Sequence, residues 1–358
     1  MKNPFIAVSF VHGYTDLDYK VGKGKLPALW VYDSSGRSAV YEYPFPRNVS
    51  DFLEYRDIIS GQMPLASAQD FKKLPRFGLT GLAQDGEYLY AGSWNGVYKI
   101  RKSDYEIESF VTNQLMNDIH GIWVDSECIV TILTGKDTVV ISDHDGGVID
   151  YFSVNNDLSV STDNEIEKID WRFLSKQFRG ATGIWHFNYV QKFGDEIWLT
   201  ARNINSFIVV DIKTRKAHIR SINQKTVALF HDGCRFKGQY YFTSIDGKII
   251  IASEAESASF EFRERIDNIA LFSRDMVSEV IRLDETEFGR VPNWCRGIEC
   301  IDDVMYVTVD GRYDTDLSFG LLGLKRSGEK VLERRLHWKD IGSEKDLRYV
   351  TGFDVITF

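Results

Sequence analysis

A unit of four short apolar bursts returns along this chain, and a repeat of that length settles the architecture before any single residue is weighed. Its clearest copy is residues 117–150, NDIHGIWVDSECIVTILTGKDTVVISDHDGGVID, where runs of strand length are cut by a Gly-Lys-Asp turn and an Asp-Gly-Gly turn. The same order recurs over 80–110, 188–222, 232–262 and 296–336, which makes five copies. Each copy alternates with a period of two, is rich in β-branched and aromatic residues, and turns on Gly, Asp, Asn or Ser. Those signs mark four-stranded antiparallel meanders.

The sixth copy is split between the ends. The N-terminal FIAVSFVHGYTDLDYKVGKGKLPALWVYDSSGRSAVYEY supplies second, third and fourth strands, while the C-terminal VTGFDVITF matches the first strand as it reads in LTGLAQDGEYLY. Pairing the termini in one blade closes a ring. Loose meanders would expose strand edges to other chains, whereas a closed propeller protects them. The expected fold is all-β, a six-bladed β-propeller of four-stranded blades that takes up residues 1–358 as a single domain. The blades fall at 1–44 with 349–358, 78–112, 118–154, 184–222, 228–263 and 294–337. Longer connectors at 45–77, 155–183 and 264–293 follow alternate blades. SDFLEYRDIISGQ in the first and FSRDMVSEVIRLDE in the third have a helical period, so partly helical connectors are expected to roof one mouth of the channel.

Composition excludes several roles. The net charge of −9 is spread along the chain, and no Lys/Arg run could track a phosphate backbone, so a nucleic-acid partner is not expected. MKNPFIAVSF has too short an apolar run for a signal-peptide core, and eighteen apolar residues never occur in succession, which points to a cytoplasmic protein without a membrane partner. The oligomeric state is left open. Four cysteines with no C-x-x-C pair read as free thiols in strands, not as a disulfide framework or a thiolate zinc site.

The repeats share Gly-Ile or Gly-Leu, an Asp, a strand with Tyr or Trp between apolar neighbours, and a Gly or Asn turn. In this the chain resembles the six-bladed NHL and SMP-30-like propellers, and MNDIHGI, TGKDTVV and HFNYVQKFGDEIWLT are similar to a group of uncharacterised propeller proteins. The resemblance covers most of the chain and implies the fold, not a reaction. SMP-30-like relatives hold Ca²⁺ through carboxylate and Asn ligands, and the equivalent positions here carry few carboxylates.

Strand order then says what converges on one channel mouth. Aligning YLYA, IVTI, WLTA, YFTS and YVTV puts Thr80, His120, Asn188, His231, Arg296 and Thr351 at the starts of the innermost strands. The turns between second and third strands add His12, Trp94, Asn95, Lys136, Asp137, Arg202, Asn203, Asp246, Asp310 and Arg312. Such polar residues either bind structural water and cap loops, or form a site; two histidines with Arg296 and Asn188 at equivalent positions favour a site.

His120, His231 and Arg296 are the candidate catalytic residues. His12, Trp94, Lys136, Asn188, Arg202, Asn203, Asp246 and Arg312 are the candidate substrate contacts. Two imidazoles and the Asn188 oxygen could hold one divalent ion, Zn²⁺, Mn²⁺, Fe²⁺ or Ca²⁺, as cofactor. Without metal, the two imidazoles could serve as general acid and base. Asp118 and Asp232 read as turn caps. The arginines and Lys136 suit the oxygens of an anion, or ion pairs with Asp137, Asp246 and Asp310. The expected function is an enzyme on a small anionic metabolite, a sugar derivative or organic acid, of lyase, hydrolase or isomerase type. The alternative is a non-catalytic propeller that binds a ligand or a protein.

Overall fold

The computed structural model describes residues 5–14, 28–33, 36–43, 77–162, 171–173, 185–204, 206–221, 230–245, 247–254, 261–266, 269–273, 276–283, 294–310, 318–337 and 347–358. These form six four-stranded antiparallel sheets in a ring, each a meander whose first strand is innermost. Blade 1 is Leu82–Asp85, Tyr88–Gly92, Val97–Arg101 and Ile107–Val111. Blade 2 is Ile119–Val124, Ile129–Leu133, Thr138–Ser142 and Val148–Val154, with Val160–Ser161 added at its edge. Blade 3 is Phe187–Phe193, Glu196–Ala201, Ser206–Asp211 and Lys216–Ser221. Blade 4 begins with Phe230–Phe236, Gln239–Ser244 and Lys248–Glu254, and blade 5 is Trp294–Ile301, Val304–Asp310, Ser318–Lys325 and Lys330–His337.

Blade 6 is the split one. Leu347–Thr357 is its inner strand and Phe5–Tyr14 its second, followed by Ala28–Asp33 and Ser38–Glu42. The two terminal strands pair from Ile6 opposite Thr357 to Tyr14 opposite Leu347. Phe5 and Phe358 exchange both main-chain hydrogen bonds at 3.0 Å. Closure therefore uses the backbone groups that two open edges would otherwise leave unpaired.

The core lies in the seams between blades. Strand Ile129–Leu133 is buried along its whole length, because Ile129 and Leu133 pack toward blade 1 while Val130 and Ile132 pack toward blade 3. Six apolar clusters fill the six seams in this way. A middle strand with both faces covered reads as a continuous apolar run, whereas an outer strand such as Ser38–Glu42 is largely solvent-facing.

One connector differs from the expected helical pattern. The described residues of FSRDMVSEVIRLDE form no helix: Met276–Arg282 is the outer strand of blade 4, pairing with Lys248–Glu254, and the hairpin Glu261–Ile266 and Ile269–Ser273 is inserted before it. Blade 4 thus extends beyond residue 263. The third strand needs an antiparallel partner on its free edge, and Val277, Val280 and Ile281 suit a pleated surface, so tertiary pairing overrides a short helical period. In the second connector, Trp171–Phe173 is a single 3₁₀ turn. The first connector, with SDFLEYRDIISGQ, lies outside the described residues except at its end. Among the described residues no helix is long and apolar enough to cross a membrane.

Candidate functional site at the inner ring

Five of the six inner strands carry at least one residue more than their partners. In blade 2, Ile119 faces Leu133 and Gly121 faces Ile132, which leaves His120 as the extra residue. In blade 3 the slip falls between Phe187 and Val190, in blade 4 between Phe230 and Gly233, and in blade 5 between Cys295 and Ile298. In blade 6, Gly352 faces Phe10 and Asp354 faces Ser9, so Phe353 is extra. A bulge bends the strand and re-aims a side chain. Here it delivers His120, Asn188, His231, Arg296 and Phe353 to the ring's centre.

In blades 3 to 6 the second strand supplies a hydroxyl acceptor for a main-chain N–H at the bulge. Tyr189 N donates to Thr200 Oγ1 at 3.0 Å, Asp232 N to Thr243 Oγ1 at 3.2 Å, Gly297 N to Thr308 Oγ1 at 2.8 Å and Asp354 N to Ser9 Oγ at 3.0 Å. All four hydroxyls are fully buried. The hydroxyls of Ser9 and Thr243 donate onward to the Thr80 and Arg296 carbonyls of the neighbouring blades. Thr80, in the blade without a bulge, donates to the Ile119 carbonyl at 2.6 Å. It laces blades 1 and 2 together.

Phe353 is the hub. His120 and His231 both meet its ring edge-on at 5.2 Å, and the Arg296 guanidinium lies 5.3 Å from its centroid. His186 approaches His120 at 5.9 Å. The sequence alignment places Thr351 at this position, and the bulge moves the inward residue two places along.

Hydrogen-bond partners set the protonation of both imidazoles. Arg296 Nη1 lies 3.2 Å from His231 Nε2, and a guanidinium only donates, so Nε2 accepts. Burial holds the His231 pKa well below its usual value, reinforced by the charges of Arg296, His120, His186 and Arg202. His231 is therefore neutral, with its proton on Nδ1. His120 Nδ1 is 2.9 Å from the Asn188 amide oxygen, which only accepts, and Nε2 is 3.3 Å from Asp118 Oδ1. The imidazolium form satisfies both acceptors. Asp118 thus faces the His120 ring and is more than a turn cap. Two buried donors, His231 Nδ1 and Asn188 Nδ2, have no acceptor among the described residues.

The other predicted contacts divide. Arg202 is half-buried and contributes its field at His231, while Asn203, beside it on the turn Arg202–Ile204, is exposed. Lys136 stacks over Trp171 at 3.5 Å. Asp137 accepts the main-chain N–H groups of Trp185 at 3.0 Å and His186 at 2.9 Å, positioning the entry to blade 3. Trp94 is buried, and its carbonyl accepts from Asp118 N at 2.7 Å. His12 lies in Phe5–Tyr14 with its backbone opposite Val350 and Phe77. Its side chain, with Asp246, Arg312 and the side chain of Asp310, lies outside the described residues.

A second group escapes the alignment. Asp354 accepts from Leu82 N at 2.6 Å and Val355 N at 2.7 Å; Asp232 accepts from Gly233 N at 2.8 Å and from Ile298 N of the next blade at 3.4 Å. The two carboxyls also bond to each other, and burial raises both above the usual carboxylate range, Asp232 the further because of the Asp354 charge. Burial and the same charge push Glu299 up to about 8. Tyr189 is raised as well, first by burial. Tyr189, Glu299 and Asp354 are partly buried. An acidic residue just after the bulge, as in HD and FD, was the available signal. Among the described residues no group of three or more His, Cys, Asp or Glu is placed to hold a metal ion.

No known family profile matches this chain, and no curated protein matches it. Among solved structures, a chain of a Nidogen/Laminin complex is similar over 98% of both chains, with a TM-score of 0.52 at 9% identity. At that identity the likeness speaks for the fold alone. A putative 6-phosphogluconolactonase from Bacteroides uniformis ATCC 8492 has a TM-score of 0.47 at 12% identity, over 93% of this chain and 83% of its own. The Cps50 (Swd1) β-propeller domain of Myceliophteria thermophila has a TM-score of 0.43 at 11% identity, over 91% and 89%.

Proposed function

We propose that the inner ring binds a small anionic metabolite, such as a sugar derivative or an organic acid, and that the two histidines act on it by proton transfer. One observation carries this reading: among the described residues the buried N–H donors of His231 Nδ1 and Asn188 Nδ2 have no acceptor, and the His231 ring faces the Arg296 guanidinium. A buried donor without a partner costs about 1–3 kcal/mol, and a carboxylate or phosphate oxygen would remove that cost. A divalent cation suits the arrangement less well, because one prospective ligand nitrogen faces a guanidinium and the Asn188 oxygen is already engaged. The relation to NHL and SMP-30-like propellers rests on the repeat pattern and belongs to the same proposal.

In this reading Arg296 and the His231 Nδ1–H hold the anion. His120 is clamped between Asn188 and Asp118, and a proton it exchanges at Nε2 passes by way of the Asp118 carboxylate. That chemistry serves a lyase, a hydrolase or an isomerase alike. A thermal-shift screen of sugar phosphates and organic acids tests it, since a ligand that binds only the folded state raises the midpoint. Stabilisation by at least one anion, lost in Arg296→Gln and in His231→Phe, is expected. Stabilisation of equal size in both variants, or none with the native protein, would overturn it.

A further inference from the structure

The cysteines take no part in the site above, yet two of them meet. Cys234, on Phe230–Phe236 of blade 4, donates its S–H to Cys300, on Trp294–Ile301 of blade 5, with the sulfurs 3.5 Å apart. Both thiols are free and buried, at 8% and 6% exposure. The same two strands are laced at successive positions along the seam. Arg296 meets His231, Ile298 N meets Asp232 Oδ2, and the cysteines form the next rung. The register that brings the sulfurs together is therefore held by several independent bonds.

We propose that Cys234 and Cys300 form a disulfide when the protein meets a hydroperoxide, stapling blade 4 to blade 5. A disulfide needs its sulfurs about 2 Å apart, so the pair must close by about 1.5 Å, within the reach of side-chain rotation. Cys300 accepts the hydrogen bond, and its sulfur attacks one peroxide oxygen. The O–O bond breaks, the leaving oxygen takes the Cys300 thiol proton and departs as water, or as an alcohol from an organic hydroperoxide, and Cys300 becomes a sulfenic acid. Cys234 then attacks that sulfur, the S–O bond breaks, and the hydroxyl departs with the Cys234 thiol proton as water. Two electrons pass from the two sulfurs to the peroxide. The bond spans 66 positions of chain, so it removes freedom mainly from the unfolded state.

The test treats the full reduced chain with hydrogen peroxide under native conditions, blocks remaining thiols after denaturation, and maps peptides by mass spectrometry. The expected product is a peptide pair joining Cys234 to Cys300, lighter by two hydrogens, reversed by dithiothreitol. A rise of several °C in the thermal midpoint should accompany it. Cys234→Ser and Cys300→Ser should each abolish the cross-link and the shift. Full alkylation of both thiols after peroxide treatment, or cross-links confined to Cys128 and Cys295, would overturn the proposal. The peptide map of the native chain decides the matter even if a variant fails to fold.

Discussion

Replacing Glu299 by Gln should stabilise the protein at neutral pH, by an amount that follows from its surroundings. The folded chain keeps the Glu299 proton up to about pH 8, because the side chain is largely buried beside the Asp354 carboxyl, whereas an unconstrained glutamate loses it near 4.5. Folding therefore takes up a proton between those limits. Stability falls as pH rises through the window, since the folded state binds more protons than the unfolded one. At pH 7, two and a half pH units above the ordinary value, the loss is about 3 kcal/mol at 1.36 kcal/mol per unit. The amide keeps the shape and carries no charge. Urea unfolding of both proteins at pH 5, 7 and 9 should show a stability gap of under about 1 kcal/mol at pH 5 that widens to roughly 3–5 kcal/mol by pH 9. A gap that stays constant across that range would refute the account of Glu299 as a buried, proton-holding carboxyl.

Three further outcomes are expected. Phe353→Ala should cost about 3–5 kcal/mol and also abolish anion-induced stabilisation, because the ring supports His120, His231 and Arg296 together; unfolding curves and the thermal screen measure the two effects. Thr308→Val should cost about 1–3 kcal/mol by urea unfolding, since it leaves the bulge N–H of Gly297 without its buried acceptor. Arg296→Gln removes the nearest positive charge from His231, so the ring's titration should move up toward the usual histidine range. Nuclear magnetic resonance of labelled histidines would detect the change, and an unmoved titration would contradict the contact.

Circular architecture was legible because its signals are local. Strand-length runs, turn residues and the orphan first-strand pattern in VTGFDVITF all lie within a few residues of one another, and the chain ends pair as that pattern requires. His120, Asn188, His231 and Arg296 were visible for the same reason, each opening its repeat. MVSEVIR shows the limit of such evidence, for its spacing serves helix or strand, and only the edge of Lys248–Glu254 decided between them.

Other features depended on partners far away in the chain. Whether a strand carries an extra residue is a property of its register with another strand, so the bulge that turns Phe353 inward could not be counted from either strand alone. The joining of Asp232 to Asp354 arises from closure, which puts residues 122 positions apart on one axis. The charge on each imidazole likewise follows from which atoms face it after folding. Sequence alone determined six blades and a polar ring; packing decided which side chains reach the axis and which protons they keep, because burial and opposed partners set those energies only once the ring is shut.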